Sequence, residues 1–258
     1  MKKAILAVSF GTSHPDTLEK TIAAIEGALA LAFPDRTLRR AFTSGMIRMK
    51  LKQRSGVNVD SVDSALDRLA REGFGDVVVQ PTHIINGDEF DKLRALAAPF
   101  AGKFSRLALG APLLTEADDY RAVAEALDEI LPAPRQDAAV VLMGHGTGHH
   151  ANAAYGLLQY VLYDRGRRDA VIGTVEGYPG LEEVLRRLEE RKVRRVHLVP
   201  LMIVAGDHAK NDMAGEDPDS WRSRLEQLGY TVTWSLRGLG EYEAIQNIFV
   251  RHALAAEA

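Results

Sequence analysis

The sequence predicts an α/β protein of two similar halves, each a doubly wound parallel sheet with helices on both faces. Short apolar runs alternate with longer amphipathic stretches along all 258 residues, which is the strand–helix alternation of such folds. The apolar runs are continuous rather than interrupted by polar residues, as strands buried on both faces are. The second half of the chain also repeats a sequence pattern of the first half.

Eight apolar runs have the length of buried strands. They cover residues 4–10, 38–42, 76–80 and 107–110 in the first half, and 138–143, 170–175, 196–201 and 231–236 in the second. Helical periodicity fills the intervals, at residues 17–32, 60–72, 88–98 and 116–131, and then at 151–165, 180–191, 219–228 and 241–256. Because helices separate successive strands, we expect the strands to be parallel.

A proline-rich segment marks the expected boundary between the halves. Pro132 and Pro134 are followed by polar residues and lie between a predicted helix and a predicted strand, as in a linker. The division gives a first half of residues 1–134 and a second half of residues 135–258.

An internal repeat relates these halves. At an offset of 119 residues, residues 66–88 align with residues 185–207. The identical pairs include Pro81 and Pro200, Gly87 and Gly206, and Asp88 and Asp207. A weaker match pairs residues 9–12 with 144–147, but its offset is 16 residues larger, so insertions separate the two copies. Two similar halves facing each other would form a cleft.

Composition and motifs exclude several classes of protein. The net charge of −3 and the isoelectric point near 6.3 argue against a nucleic-acid binder. The absence of cysteine excludes disulfides, thiolate zinc sites, iron–sulfur clusters and cysteine nucleophiles. The chain has no phosphate-loop, G-x-S-x-G or H-E-x-x-H motif. The first apolar run is too short for a signal peptide and no run has membrane-spanning length, so we expect a cytoplasmic protein without a membrane partner.

Histidines distinguish two strand ends of the second half from their counterparts in the first. Ligands of parallel sheets bind beyond the carboxyl ends of the strands, where the first half has Phe10 and Glu89 and the second has His145 and His208. Glu176 ends a third strand. Two imidazoles and a carboxylate suit Co²⁺, Fe²⁺, Ni²⁺ or Zn²⁺ and leave coordination positions open. The glycines beside His145 also fit a phosphate-cradling turn with a solvated histidine, and this alternative stays open.

Other polar residues are weaker candidates. His83 follows a predicted strand near the expected cleft, while Glu89 is either a cleft acid or a first-turn residue favoured by the helix dipole. Arg48 begins a basic run, and Lys210 follows His208. Such cations either bind carboxylates or form a solvated helix face. The other basic residues of the run are Lys50, Lys52 and Arg54, and the other histidines are His14, His149, His150, His197 and His252.

Six segments, in order along essentially the whole chain, carry a family resemblance. They are Val8-Ser9-Phe10-Gly11-Thr12-Ser13, residues 41–48, residues 81–87, Met143-Gly144-His145-Gly146-Thr147, Val175-Glu176-Gly177-Tyr178-Pro179, and residues 200–213 with Gly206-Asp207-His208. The sequence is similar in these segments to the class II chelatases, most closely to the anaerobic sirohydrochlorin cobalt chelatases of cobalamin synthesis.

This resemblance implies two Rossmann-like halves around a tetrapyrrole cleft, with a C-terminal helix that packs on the first half. It implies that His145, Glu176 and His208 bind the metal and that His145 is also the catalytic base. The implied reaction inserts a divalent ion into sirohydrochlorin and releases two protons, with Co²⁺ favoured and Fe²⁺ or Ni²⁺ open. Residues expected to bind the substrate are Phe10, Gly11, Thr12, Ser13, Ser44, Arg48, His83, Glu89 and Lys210.

No organic cofactor is expected. Some relatives bind haem between subunits, but the loop at residues 86–89 offers no axial ligand, so we predict no haem. A homo-oligomer stays open. The competing functions are a chelatase for sirohaem or a related tetrapyrrole, and a non-catalytic carrier of a tetrapyrrole or a metal.

Overall fold

The computed structural model describes residues 1–257 and divides into two compact units. The first contains residues 1–115 and 240–257, and the second contains residues 116–239. In chain order the strands are β1 (Lys2–Ser9), β2 (Thr37–Phe42), β3 (Phe74–Pro81), β4 (Arg106–Leu109), β5 (Ala138–Gly144), β6 (Ala170–Thr174), β7 (Arg195–Pro200) and β8 (Thr231–Trp234).

Within residues 1–257, ten α-helices connect and cover these strands. They are α1 (Pro15–Thr17), α2 (Ala23–Ala32), α3 (Gly45–Ser55), α4 (Val62–Arg71), α5 (Asp88–Ala97), α6 (Ala117–Ile130), α7 (Ala153–Asp164), α8 (Leu181–Glu190), α9 (Trp221–Gln227) and α10 (Glu243–Glu257). Short π-helical turns occupy Leu18–Ile22 and His208–Met213, and 3₁₀ turns occupy Ala98–Lys103, His150–Asn152 and Leu239–Glu241. Within residues 1–257 no helix is long and apolar enough to cross a membrane.

The two sheets have the same topology. The order is β2-β1-β3-β4 in the first unit and β6-β5-β7-β8 in the second, and every neighbouring pair is parallel. The central strands are buried on both faces because helices cover both sides of each sheet, as the continuous apolar runs predicted. The predicted fold class of two similar parallel α/β halves is confirmed.

Every predicted strand and helix is present within two residues of its predicted ends, but the prediction omitted α3. Its basic residues fall at alternate positions, so the sequence lacks the apolar spacing of an amphipathic helix. The helix is defined by its ends instead. The Ser44 hydroxyl accepts a hydrogen bond from the Ile47 amide, and Gly56 ends the helix in the left-handed conformation.

The structural division of the chain differs from the predicted boundary between residues 134 and 135. Helix α6 lies before the prolines yet packs against α7, so it belongs to the second unit. Helix α10 packs against α2 and β3 and therefore belongs to the first unit.

A buried ion network attaches the end of α10 to the first sheet. The Arg36 side chain has no exposed surface and donates to Asp76 Oδ2 at 2.9 Å and to Glu257 Oε1 at 2.6 Å. The same guanidinium donates to the carbonyl oxygens of Ala4 and Asp76. Since a buried cation is tolerated only when it is paired and fully hydrogen-bonded, this network requires all of its members.

Asp76→Ala is therefore expected to reduce the free energy of unfolding by about 3 kcal/mol, because it leaves Arg36 incompletely paired. Urea unfolding followed by circular dichroism measures the change. Asp67→Ala is the control in the same unit, since Asp67 pairs with Arg71 at the surface and its loss costs less than about 1 kcal/mol. Equal losses for the two variants would contradict the buried network.

Candidate metal centre

Three side chains that follow three strands of the second sheet lie close together. His145 follows β5, Glu176 follows β6 and His208 begins the π-helical turn after β7. One ligand atom from each lies within 4.8 Å of the others. The imidazole rings of His145 and His208 meet edge to face with their centroids 4.8 Å apart, and His145 Nδ1 is 3.9 Å from Glu176 Oε2.

Backbone hydrogen bonds beyond the ends of β5 and β6 place His145 beside Glu176. The Val175 amide donates to the Gly144 carbonyl at 3.0 Å, and the Glu176 amide donates to the His145 carbonyl at 2.8 Å. These bonds continue the ladder of the two parallel strands into the loops. The two side chains are therefore positioned by main-chain geometry rather than by contact between themselves.

Gly146 allows this close approach of the two loops. Its φ of +79° lies in the left-handed region, which L-residues with side chains rarely adopt. A Cβ atom at this position would be 2.6 Å from the Gly177 amide nitrogen and 2.7 Å from the Thr174 Cβ. Only glycine at 146 lets the loop after β5 pack directly on the loop after β6.

Each histidine has one ring nitrogen engaged within the protein. His145 Nδ1 is 2.9 Å from the Gly146 carbonyl oxygen, which only accepts, so in the neutral tautomer that this contact favours Nδ1 carries the proton and Nε2 the lone pair. His208 Nδ1 is 2.5 Å from Asp212 Oδ2, four residues later in the same π-helical turn. A carboxylate on the far nitrogen is the usual partner of a metal-binding histidine, because it orients the ring and makes the ligating nitrogen more basic.

The cluster is open to solvent and close to the geometry of a shared ion. The side chains of His145, Glu176 and His208 are 46%, 57% and 36% exposed. Ligands about 2.1 Å from one ion are at most about 4.2 Å apart, so small side-chain rotations would bring all three onto it. Two imidazoles and a carboxylate suit first-row divalent ions, and three protein ligands leave positions for water or a second ligand.

Three of the residues expected to bind substrate have their side chains engaged in local structure. Thr12 Oγ1 contacts Thr17 Oγ1 and accepts from the His14 amide. Ser13 Oγ accepts from Arg54 at 3.1 Å, and Ser44 is the N-cap of α3. Phe10 and Gly11 form the loop after β1, where Gly11 has a φ of +103° and Phe10 is 43% exposed.

His83 and Glu89 lie with Lys92 and Thr43 at the carboxyl edge of the first sheet. Lys92 Nζ donates to the Thr43 carbonyl at 2.7 Å and is 3.6 Å from Glu89 Oε1. Within residues 1–257, both ring nitrogens of His83, Glu89 Oε2 and Thr43 Oγ1 are buried without a hydrogen-bond partner. Burial lowers the pKa of His83 to about 4, so its ring is neutral near pH 7.

The remaining candidates have simpler surroundings. Arg48 is half-buried on α3 with its Nε unpartnered within the described chain, and Lys210 lies in the π-helical turn after His208. His149 caps the 3₁₀ turn by accepting from the Ala151 amide, and its ring lies 4.0 Å from that of His150. His197 contacts Thr233 at 2.9 Å, which agrees with a structural role in the strand.

Sequence reasoning missed Asp212 and Lys92. Asp212 is four residues after His208, a spacing that places two side chains on one face of a helical turn, so this signal was present. The sequence pattern did not predict a helical turn at residues 208–213, so the pairing of Asp212 with His208 was not predicted. Lys92 follows Glu89 by three residues in a predicted helix, which is a similar signal, but its contact with the Thr43 carbonyl just after β2 is not visible in the spacing.

Comparison with known sequences identifies a family and two similar proteins. The profile of the cobalt chelatase (CbiK) family matches residues 3–257. The sirohydrochlorin cobaltochelatase of Salmonella typhimurium is 49% identical over 252 residues, which cover 98% of this chain and 95% of that protein. The sirohydrochlorin cobaltochelatase CbiKC of Nitratidesulfovibrio vulgaris is 39% identical over 258 residues, covering 99% of this chain and 90% of that protein.

Solved structures share the fold at low sequence identity. SirB from Bacillus subtilis, determined with Fe³⁺, has a TM-score of 0.67 and 16% identity, covering 100% of this chain and 96% of that one. CbiX, described as the terminal enzyme of sirohaem biosynthesis in denitrifying bacteria, has a TM-score of 0.56 and 15% identity, covering 99% of both chains. At these identities the similarity concerns the fold.

Asp212→Ala is expected to weaken Co²⁺ binding by about 10- to 100-fold, because His208 loses the carboxylate that orients its ring. Titration calorimetry with Co²⁺ measures the affinity. Glu216→Ala removes an exposed acid from the same segment and serves as the control. An affinity that falls equally in both variants would indicate a general charge effect and contradict the orienting role.

The buried neutral ring of His83 predicts an acid-sensitive stability. At pH 5 the unfolded chain, with a histidine pKa near 6.5, binds a proton that the folded protein, with a pKa of about 4, does not. Wild-type stability should therefore fall by about 2 kcal/mol more than that of His83→Asn between pH 7.5 and pH 5. Urea unfolding at both pH values tests this, and parallel responses would show that His83 is not held neutral.

Proposed function

This chain belongs to the cobalt chelatase (CbiK) family, and from that premise we propose that it inserts Co²⁺ into sirohydrochlorin in anaerobic cobalamin biosynthesis. The proposal is carried by the cluster of His145, Glu176 and His208 in a chain that is 49% identical to a sirohydrochlorin cobaltochelatase over nearly its whole length. The reaction exchanges one divalent ion for the two pyrrole N–H protons of the macrocycle.

In this proposal His145, Glu176 and His208 hold the ion before its transfer. The exposure of all three side chains supports a transient site, because a cargo ion must enter and leave. A closed four-ligand site would keep the metal. Three ligands leave room for the ring nitrogens to bind the ion while the protein ligands are still attached, so the ion is never released as a bare cation.

His145 is proposed as the base that takes a pyrrole proton. Its Nε2 carries the lone pair, and that lone pair becomes available for a proton once the ion has moved to the ring nitrogens. The ligating nitrogen cannot hold the ion and the proton together, so proton transfer to His145 follows ligand exchange. Glu176, whose Oε2 is 3.9 Å from His145 Nδ1, is proposed to share or receive the second proton.

The cations Arg48 and Lys210 are each proposed to bind a carboxylate of sirohydrochlorin. Arg48, His83 and Glu89 have buried polar atoms without partners inside the described chain, which supports a role for them toward a polar ligand. Gly11, Thr12, Ser13 and Ser44 are proposed to shape the same surface, because their side chains or backbone fix the loop and the start of α3.

The proposal also covers which metal the protein inserts and whether it forms an oligomer. Imidazole and carboxylate ligands accept Co²⁺, Fe²⁺ and Ni²⁺ alike, so selection among them depends on supply as well as on the site. We propose that the protein uses no organic cofactor and acts on sirohydrochlorin in the cytoplasm. A homo-oligomer is compatible with this scheme, since all three proposed ligands belong to one chain.

His145→Ala is expected to reduce the insertion of Co²⁺ into sirohydrochlorin at least about 100-fold, through the loss of a metal ligand and a base. The fold should persist, because the exposed imidazole follows a strand that is held by its main chain. The visible spectrum of sirohydrochlorin follows the reaction, and far-ultraviolet circular dichroism checks the fold.

His197→Ala is the matched control, since this histidine lies within β7 and not at the cluster. Unchanged turnover of the His145 variant would refute its role. A wild-type protein that shifts the spectrum only in proportion to its own concentration would be a carrier, which would contradict the catalytic proposal.

A further inference from the structure

The first unit contains a helix that has no counterpart in the second. Helices α4 and α8 are equivalent in the internal repeat. Residues 43–61 join β2 to α4, but only residues 175–180 join β6 to α8. The extra length of the first connection is mainly helix α3, and it accounts for most of the 16-residue difference between the two repeat offsets. Thus α3 occupies the scaffold position where the second unit has Glu176.

Two exposed side chains in the first half of α3 are apolar, while the exposed residues of its second half are polar or charged. Met46 is 56% exposed and Met49, one turn later, is 58% exposed. Two long apolar side chains at helical neighbour positions, both facing solvent, gain nothing from the folding of the unit. Neighbouring exposed apolar side chains of this kind are typical of a binding surface.

Phe10 is a third exposed apolar residue, and it lies on the loop that packs against the start of α3. The Ser44 amide at the start of α3 donates to the Phe10 carbonyl at 3.3 Å. A side chain on the next residue, Gly11, would lie 2.5 Å from Phe42 and 3.0 Å from Ile47 of α3, so the loop is packed against the helix. We name the exposed side chains of Phe10, Met46 and Met49 the methionine platform.

Positive charge accompanies the platform. Helix α3 carries Arg48, Lys50, Lys52 and Arg54 and no acidic residue. Arg54 reaches back to Ser13 of the same loop, which leaves the other three cations along the helix. An apolar patch beside cations is complementary to a ligand with an apolar face and acidic margins, and sirohydrochlorin, a flat conjugated ring with peripheral carboxylates, is such a ligand.

We propose that the methionine platform binds a face of the sirohydrochlorin ring, with the cations of α3 receiving its carboxylates. Thioether sulfur and aromatic rings both make favourable contacts with a π-system, and flexible methionines adapt to a ring that changes shape as the metal enters. The inference rests on the proposed function and deepens it. It assigns ring binding to the first unit through α3, separately from the metal ligands of the second.

Methyl NMR of the full-length protein tests the contact directly. With [methyl-¹³C]methionine, the six methionines give separate probes, and Met46→Leu and Met49→Leu assign the two platform signals. Metal-free sirohydrochlorin should shift both signals upfield through its ring current. Met1 is the control, because it is 77% exposed but lies before β1, at the opposite edge of the same sheet.

A binding experiment measures how much the methionine platform contributes to the affinity for sirohydrochlorin. The double variant Met46→Ser/Met49→Ser should bind metal-free sirohydrochlorin roughly tenfold more weakly, through the lost apolar contact, with unchanged Co²⁺ affinity by calorimetry. The Met46→Leu/Met49→Leu variant keeps most of the apolar surface and should bind nearly as the wild type does. Leu31→Ser, at an 85% exposed site on α2, controls for the loss of any surface hydrophobe.

The outcomes separate this inference from the proposed function. The wild-type protein could turn over sirohydrochlorin while the Met46 and Met49 signals stay unshifted, or while the serine variant binds the ring equally well. Either result would refute ring binding by the methionine platform and leave the proposed chelatase activity standing. Wild-type protein that neither binds nor converts sirohydrochlorin would overturn both. Upfield shifts confined to the two platform methyls, with a tenfold weaker serine variant, would establish the contact.

Discussion

The main-chain hydrogen bonds that continue the β5–β6 ladder past the ends of the strands are the constraint on which the candidate centre depends. They set the separation of His145 and Glu176 by backbone geometry, and Gly146 is the residue that permits it. Neither side chain then has to be immobilised by packing, so both remain exposed. An exposed ligand on a rigid backbone is well suited to a site that must accept an ion and then release it.

The two units show how one scaffold has acquired two different surfaces. Both sheets have the same strand order, and in both the polar residues of interest follow the carboxyl ends of the strands. The second unit carries the three candidate ligands on short loops. The first unit has Phe10 where the second has His145, and helix α3 where the second has Glu176. The shared strand order gives both units the same geometry, and the residues and loops that differ give the two surfaces different chemistry.

The elements that could be predicted from the sequence were those determined by local patterns. Continuous apolar runs predicted β1 and β5, and the internal repeat predicted that α4 and α8 are equivalent. Helix α3 was missed because its basic residues alternate and its ends are set by Ser44 and Gly56. The four-residue spacing of His208 and Asp212 fits one helical turn, but the turn itself was not predicted, and the pKa of His83 depends on its burial in the folded chain. The burial of His83 arises from tertiary contacts, which spacing alone does not contain.

The central claim is that one divalent ion is shared by His145, Glu176 and His208, and a cobalt-loaded crystal structure tests it most directly. Anomalous scattering at the cobalt edge locates the ion independently of the protein atoms. The account predicts a single dominant peak bonded at about 2.1 Å to an imidazole nitrogen of each histidine and to the Glu176 carboxylate. A dominant peak bonded to other residues, or to only one of these three, would contradict it.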